Sequence, residues 1–144
     1  MITNYSLFLI PIIIGISCQA IKLATNSIKG DFTFKHLFDY GGMPSSHAAM
    51  VTSLSLIIML REGINSSVFS LSFIMAILII RDAVGIRRRI GNQAHITNQL
   101  VARLPQDEQK KYSHLLETVG HTVPEITVGI IYGLVITLVL NLFI

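Results

Sequence analysis

His121 and Glu125 stand four residues apart just before the last apolar stretch, and His47 stands at the start of another. An imidazole can act as nucleophile, base or acid near neutral pH, and a carboxylate beside it fixes its tautomer and leaves the other nitrogen reactive. Thr122-x-x-Glu125 also has the spacing of a capping box, with Pro124 acceptable in the first turn, so Glu125 has a purely backbone role open to it as well. The two roles are compatible. Upstream, Gly41-Gly42-Met43-Pro44-Ser45-Ser46-His47 reads as a tight loop in which Gly42 and Pro44 shape the turn. Ser45 or Ser46 then caps a helix whose unpaired N–H groups favour an anion. The alternative is a plain capped helix with an incidental histidine. A third cluster, Arg81-Asp82 followed by Arg87-Arg88-Arg89, fits either phosphate binding or anchoring at a membrane surface. Lys22 and Lys29 are seven residues apart, two helical turns, and so share a face if the helix continues that far. Two histidines and two carboxylates (His47, His121, Asp82, Glu125) are in principle also sufficient metal ligands, although the leading reading needs no metal and no cofactor. His36, His95 and His114 have no carboxylate at a useful spacing and read as loop or interface residues.

The elements that must position these groups follow from where charge is missing. Residues 1–21, 40–60, 63–80 and 126–144 contain no Asp, Glu, Lys or Arg. A spanning helix needs about 20 mostly apolar residues, which the outer two stretches supply. The inner two are shorter in their apolar parts, which suits helices that enter at a polar pocket. The expectation is an all-α integral membrane protein. One domain, 1–144, holds about four transmembrane helices, near residues 5–24, 46–61, 66–81 and 123–143, in a compact bundle. The loop region 82–122 should contain short interfacial helices. Apolar residues at Ile90, Ala94, Ile96, Leu100, Val101 and Leu104 form a rough helical stripe, Pro105-Gln106-Asp107 is a break, and Glu108–Thr118 reads as a second short helix.

Composition narrows the class. Charged residues make up 13% of 144, about half the roughly 25% of soluble domains, and mean hydropathy is +0.63. Nineteen charges would leave too much apolar surface facing water, which excludes an ordinary soluble domain and a disordered segment. A net charge of +3 would otherwise hint at nucleic acid, but no nucleic-acid partner is expected, because the basic residues are placed as membrane proteins place them. The single cysteine, Cys18, makes no internal disulfide. Met1–Tyr5 lacks the basic residues of a signal peptide.

Ten of the eleven basic residues fall in the first and third loops, which share a side if there are four spans. That side is expected to be cytoplasmic, with both termini outside, in a multi-pass protein of the cell membrane. Nearly all the polar chemistry then lies on one face. A bundle this small leaves room for pairing with a second copy.

The runs Gly41–Ala49, Arg81–Arg88, Gly91–Asn98 and Gly120-His121 with Glu125 resemble the divergent branch of the type-2 phosphatidic acid phosphatase superfamily (acid phosphatase/vanadium-dependent haloperoxidase-related). The similarity spans nearly the whole chain. The parent superfamily hydrolyses phosphate monoesters through a phosphohistidine on a six-helix core. Its motifs are a Lys and an Arg-Pro separated by six residues, Pro-Ser-Gly-His, and Ser-Arg followed by His-x-x-x-Asp. Pro44-Ser45-Ser46-His47 resembles the second with Ser46 for glycine, and His121-x-x-x-Glu125 the third with Glu for Asp. Lys22 and Lys29 mimic the first, with Lys29 for Arg and Gly30 for Pro. The arginine six residues before the nucleophile falls on Leu115, and Arg87 or Arg88 is our own candidate to replace its charge. The resemblance implies a metal-independent phosphatase or phosphotransferase acting on a lipid or polyprenyl phosphate. His121 would attack phosphorus, Glu125 orient it, and His47 protonate the leaving oxygen. Lys22, Lys29, Ser45, Ser46, Arg87 and Arg88 would bind phosphate, supported by Asp82, Gly42 and Pro44. The non-enzymatic alternative is a membrane protein that binds or transports anionic lipid or phosphate.

Overall fold

A computed structural model describes residues 6–28 and 42–143. Every regular element among them is helical: α1 (Ser6–Ile28), α2 (Ser46–Glu62), α3 (Ser67–Val84), α4 (Ile86–Val101), α5 (Gln106–Gln109) and α6 (Val123–Asn141). Lys29, named as a phosphate ligand, lies outside the described residues, as do Gly41 and residue 5, where the first helix was expected to begin.

Four of these helices form the bundle, and α2 is its centre, packed against α1, α3 and α6. Three are long and apolar enough to cross a bilayer: α1 over Leu7–Thr25, the α3–α4 rod over Ser67–Val101, and α6 over Val123–Asn141. Large apolar side chains on α3 (Leu71, Ile74, Leu78) and α6 (Ile131, Val135, Leu138) point outward, as lipid-facing residues do. With 17 residues α2 is about 26 Å long, short of a full crossing, and it is enclosed by the other three. Its sequence fits that place: Ser46, Ser53 and Ser55 are buried among Ala48, Ala49, Ile57 and Ile58 rather than turned to lipid.

Small residues let the helices approach. A Cβ on Gly129 of α6 would lie 2.5 Å from the Ser45 carbonyl oxygen, and one on Gly133 would lie 2.5 Å from that of Ala49. Close contact of this kind replaces the hydrophobic drive that lipid removes between membrane helices. Polar pairs tie the same surfaces together. Thr137 and Ser53 share a hydroxyl–hydroxyl hydrogen bond of 2.7 Å, and the Tyr132 hydroxyl donates to Ser17 Oγ at 2.8 Å. The main cluster holds Ile10, Ile14, Cys18, Ala49 and Ile57; a second, Ala48, Ala83 and Ile126, lies under the site end of the bundle.

The loop region departs from expectation in one element. The helix expected over Glu108–Thr118 does not form: α5 is a single turn ending at Gln109, and 113–119 have no regular structure. The reason is competition for the backbone. Asn98 Oδ1 accepts from the Leu115 amide at 3.0 Å, and Asn98 Nδ2 donates to the Leu115 carbonyl at 2.8 Å. Both Leu115 groups are thereby taken away from any helix. Gly91 allows the approach, since a Cβ there would lie 2.6 Å from the Glu117 carbonyl oxygen. The segment is therefore held by α4 rather than by itself.

Candidate functional site

Two helices begin at the same end of the bundle and their first turns touch. Ser45 caps α2 in extended conformation with its Oγ accepting from the Ala48 amide at 3.4 Å. Its own amide donates to the Glu125 carbonyl at 3.1 Å, joining the start of α2 to that of α6. Each helix start presents unpaired N–H groups and partial positive charge. Ser45, Ser46 and Pro44 are buried there, while Gly42, with φ of 95°, makes the turn that leads into them.

The α6 end carries the capping box expected from Thr122 and Glu125. Glu125 Oε2 accepts from the Thr122 amide at 2.9 Å and lies 3.2 Å from His121 Nδ1. One carboxylate therefore makes both contacts left open by the sequence. An ionised carboxylate only accepts, so Nδ1 carries the hydrogen and the Nε2 lone pair is free. His121 is only 4% exposed, and its amide donates to the Ala83 carbonyl at 3.1 Å, in the last turn of α3 where carbonyls lack helical partners. Gly120, with φ of 95°, is required just before it, because a Cβ would lie 2.5 Å from the Arg88 amide nitrogen.

Burial holds the His121 imidazole below its ordinary pKa of 6.5; the Glu125 hydrogen bond pulls the other way, and the charges of Lys22 and His47 add to the depression. Lys22, buried at 6% exposure near the end of α1, and His47, exposed on the first turn of α2, both lie within electrostatic reach of His121. Lys22 and Arg87 likewise reach His47. Arg87 Nε donates to Asp82 Oδ2 at 2.6 Å. The structure thus gathers Lys22, Ser45, Ser46, His47, Arg87, His121 and Glu125 at one end. Arg88 is different: its backbone meets Gly120, but its side chain is exposed. Asp82, weighed as a metal ligand, is tied to Arg87, and among the described residues no group of three or more His, Cys, Asp or Glu could hold a metal ion.

One cluster was not foreseen. His95, read as a bland loop residue, places Nδ1 2.6 Å from Glu117 Oε2, while Asn98 Nδ2 donates to Glu117 Oε1 at 2.7 Å. The Asn98 amide and the His95 ring hold the Glu117 carboxyl below its ordinary pKa. The partners are 19 and 22 residues apart, so no local spacing could reveal them. This latch fastens the segment that leads to His121 onto α4. Asn98→Ala removes the Leu115 and Glu117 bonds together, and about tenfold faster amide exchange is expected over 113–119, as for a loss of roughly 1–2 kcal/mol. Unchanged exchange by mass spectrometry would show that Gly91 packing alone holds the segment.

A helical bundle with three helices long and apolar enough to cross a bilayer, and a buried histidine held by a carboxylate where two helix starts meet, defines the class: an integral membrane protein with its polar groups gathered at one bundle end. The chain belongs to the Divergent PAP2 family, whose model matches residues 3–136. It is 40% identical over 114 residues, 72% of each chain, to an uncharacterized membrane protein, YuiD, of Bacillus subtilis (strain 168). No solved structure matches.

Proposed function

We propose that this chain is a metal-independent phosphatase or phosphotransferase of the membrane that acts on a lipid or polyprenyl phosphate. The observation that carries the reading is the buried His121, with Nδ1 on Glu125 and Lys22 and His47 within electrostatic reach. In the first step the Nε2 lone pair of His121 forms a bond to phosphorus as the ester P–O bond breaks, and His47 gives a proton to the departing alkoxide. In the second, His47 takes a proton from water, whose oxygen displaces the imidazole and releases phosphate. Transfer to another hydroxyl in place of water would give the phosphotransferase.

Charge on the equatorial oxygens is met by Lys22, by the two helix starts with Ser45 and Ser46, and by Arg87, whose terminal nitrogens stay available while its Nε holds Asp82. Arg87 thereby supplies the charge lost at Leu115, which lies exposed in the segment held by Asn98. The bias of the basic residues supports a cytoplasmic loop face, and on this reading the headgroup is drawn from the inner leaflet.

The test is phosphate release by protein in nanodiscs holding a polyprenyl phosphate. Release that persists in chelator and stops with vanadate is expected, together with an acid-labile phosphoryl label mapping to the His121 peptide. The Leu115 substitution favours a second reading, a phosphate-lipid binder without turnover. Tight binding of the lipid with neither release nor label would establish that reading and end the first.

A further inference from the structure

The α3–α4 rod has two faces at its break. One turns Ala83 inward, where its carbonyl accepts from the His121 amide. The other carries Leu78, Arg81, Asp82, Gly85, Ile86 and Arg89 around a cavity of about 380 Å³, within the size range of small-ligand sites. Arg81, Gly85 and Arg89 are spaced by four, so they stack along one side of the rod, and the absence of a side chain at Gly85 leaves the gap between the two guanidinium groups open. Among the described residues neither Arg81 nor Arg89 makes an ion pair. The one carboxylate in the lining, Asp82, is neutralised by Arg87 at 2.6 Å. The cavity therefore offers two uncommitted guanidinium groups and no uncompensated negative charge.

We propose that this cavity binds the phosphate headgroup of an anionic membrane phospholipid, on the other face of the rod from His121 and independent of any reaction there. Three observations select the ligand. Guanidinium groups take phosphate oxygens in bidentate fashion. The cavity lies where the charge-free stretch of α3 ends at Arg81, the depth at which headgroups sit. Leu78 (52% exposed) and Ile86 (64% exposed) flank the arginines and continue into the apolar outer face of α3, a surface that acyl chains cover and a free anion does not.

The full-length protein would be titrated with phosphatidylglycerol and with phosphatidylcholine and the bound lipids counted by native mass spectrometry. Preferential retention of one phosphatidylglycerol is expected, weakened about fivefold by Arg89→Gln and about thirtyfold by Arg81→Gln with Arg89→Gln. Ile86→Glu sets a carboxylate in the cavity at a highly exposed position that folding tolerates, and abolishes the preference. Arg103→Gln with Lys110→Gln removes equal charge elsewhere on the loop region and leaves it intact. A preference that survives the Arg81/Arg89 pair and Ile86→Glu, or that falls equally with the Arg103/Lys110 pair, overturns the proposal. Displacement of the lipid by millimolar inorganic phosphate overturns it too, because the site is then one for a free anion.

Discussion

Glu125→Gln is expected to lower turnover of a lipid phosphate about 10³–10⁴-fold while leaving α6 folded, the scale found when a carboxylate beside a catalytic histidine becomes its amide. The substitution separates two roles that share one atom. Oε2 of Glu125 both accepts from the Thr122 amide and faces His121 Nδ1. Glutamine is accepted at the third position of a capping box, so the helix start survives. The amide carries no charge to stabilise an imidazolium or phosphoimidazolium, and it does not enforce the Nδ1–H tautomer. The acid limb of the rate profile moves as well. His121 attacks when neutral, and burial already holds its pKa below 6.5. Glu125 opposes that depression, so removing its charge lowers the pKa further and shifts the limb to more acidic pH. Helicity by circular dichroism and a pH series of phosphate release check both halves. A loss of activity that tracks a loss of helicity would reduce Glu125 to a cap.

The second large effect concerns stability. Gly133→Leu is expected to destabilise the bundle by about 3 kcal/mol, the upper end of the usual overpacking cost. A Cβ there would lie 2.5 Å from the Ala49 carbonyl oxygen and 3.0 Å from Ala49 Cα, both backbone atoms that cannot rotate aside. The helices must separate, which also stretches the Thr137–Ser53 hydrogen bond one turn further along α6. Separation reaches the site, because α2 and α6 are joined at Ser45 and Glu125. Unfolding in mixed micelles with rising dodecyl sulfate, followed by helicity, measures the shift. A curve matching wild type would mean that α2 and α6 do not pack as described.

Signals of short range were legible before folding. The charge-free stretches located the apolar helices, Thr122-x-x-Glu125 announced the start of α6, and Gly42 to Ser46 announced that of α2. Each is set by residues within one or two helical turns. What escaped depends on pairing at a distance. Leu115 and Glu117 read as helical because their own neighbours permit a helix, and only Asn98, from another element, takes their backbone and carboxylate away. Gly129 and Gly133 carried a usable signal, a four-residue spacing of glycines inside an apolar helix, but its meaning depends on which helix faces them. The influence of Lys22 and His47 on His121 belongs to the same class: each residue was identifiable alone, and that they share an end follows from where α2 and α6 start.

The stretch from Leu115 to His121 is fastened on both sides of the break at Gly85: to the Ala83 carbonyl before it, and to Gly91 and Asn98 beyond it. It therefore works as a splint across that joint. The α3 and α4 parts of the rod cannot bend against each other without dragging the His121 segment along, so the rigidity of that joint and the aim of the imidazole are one mechanical property.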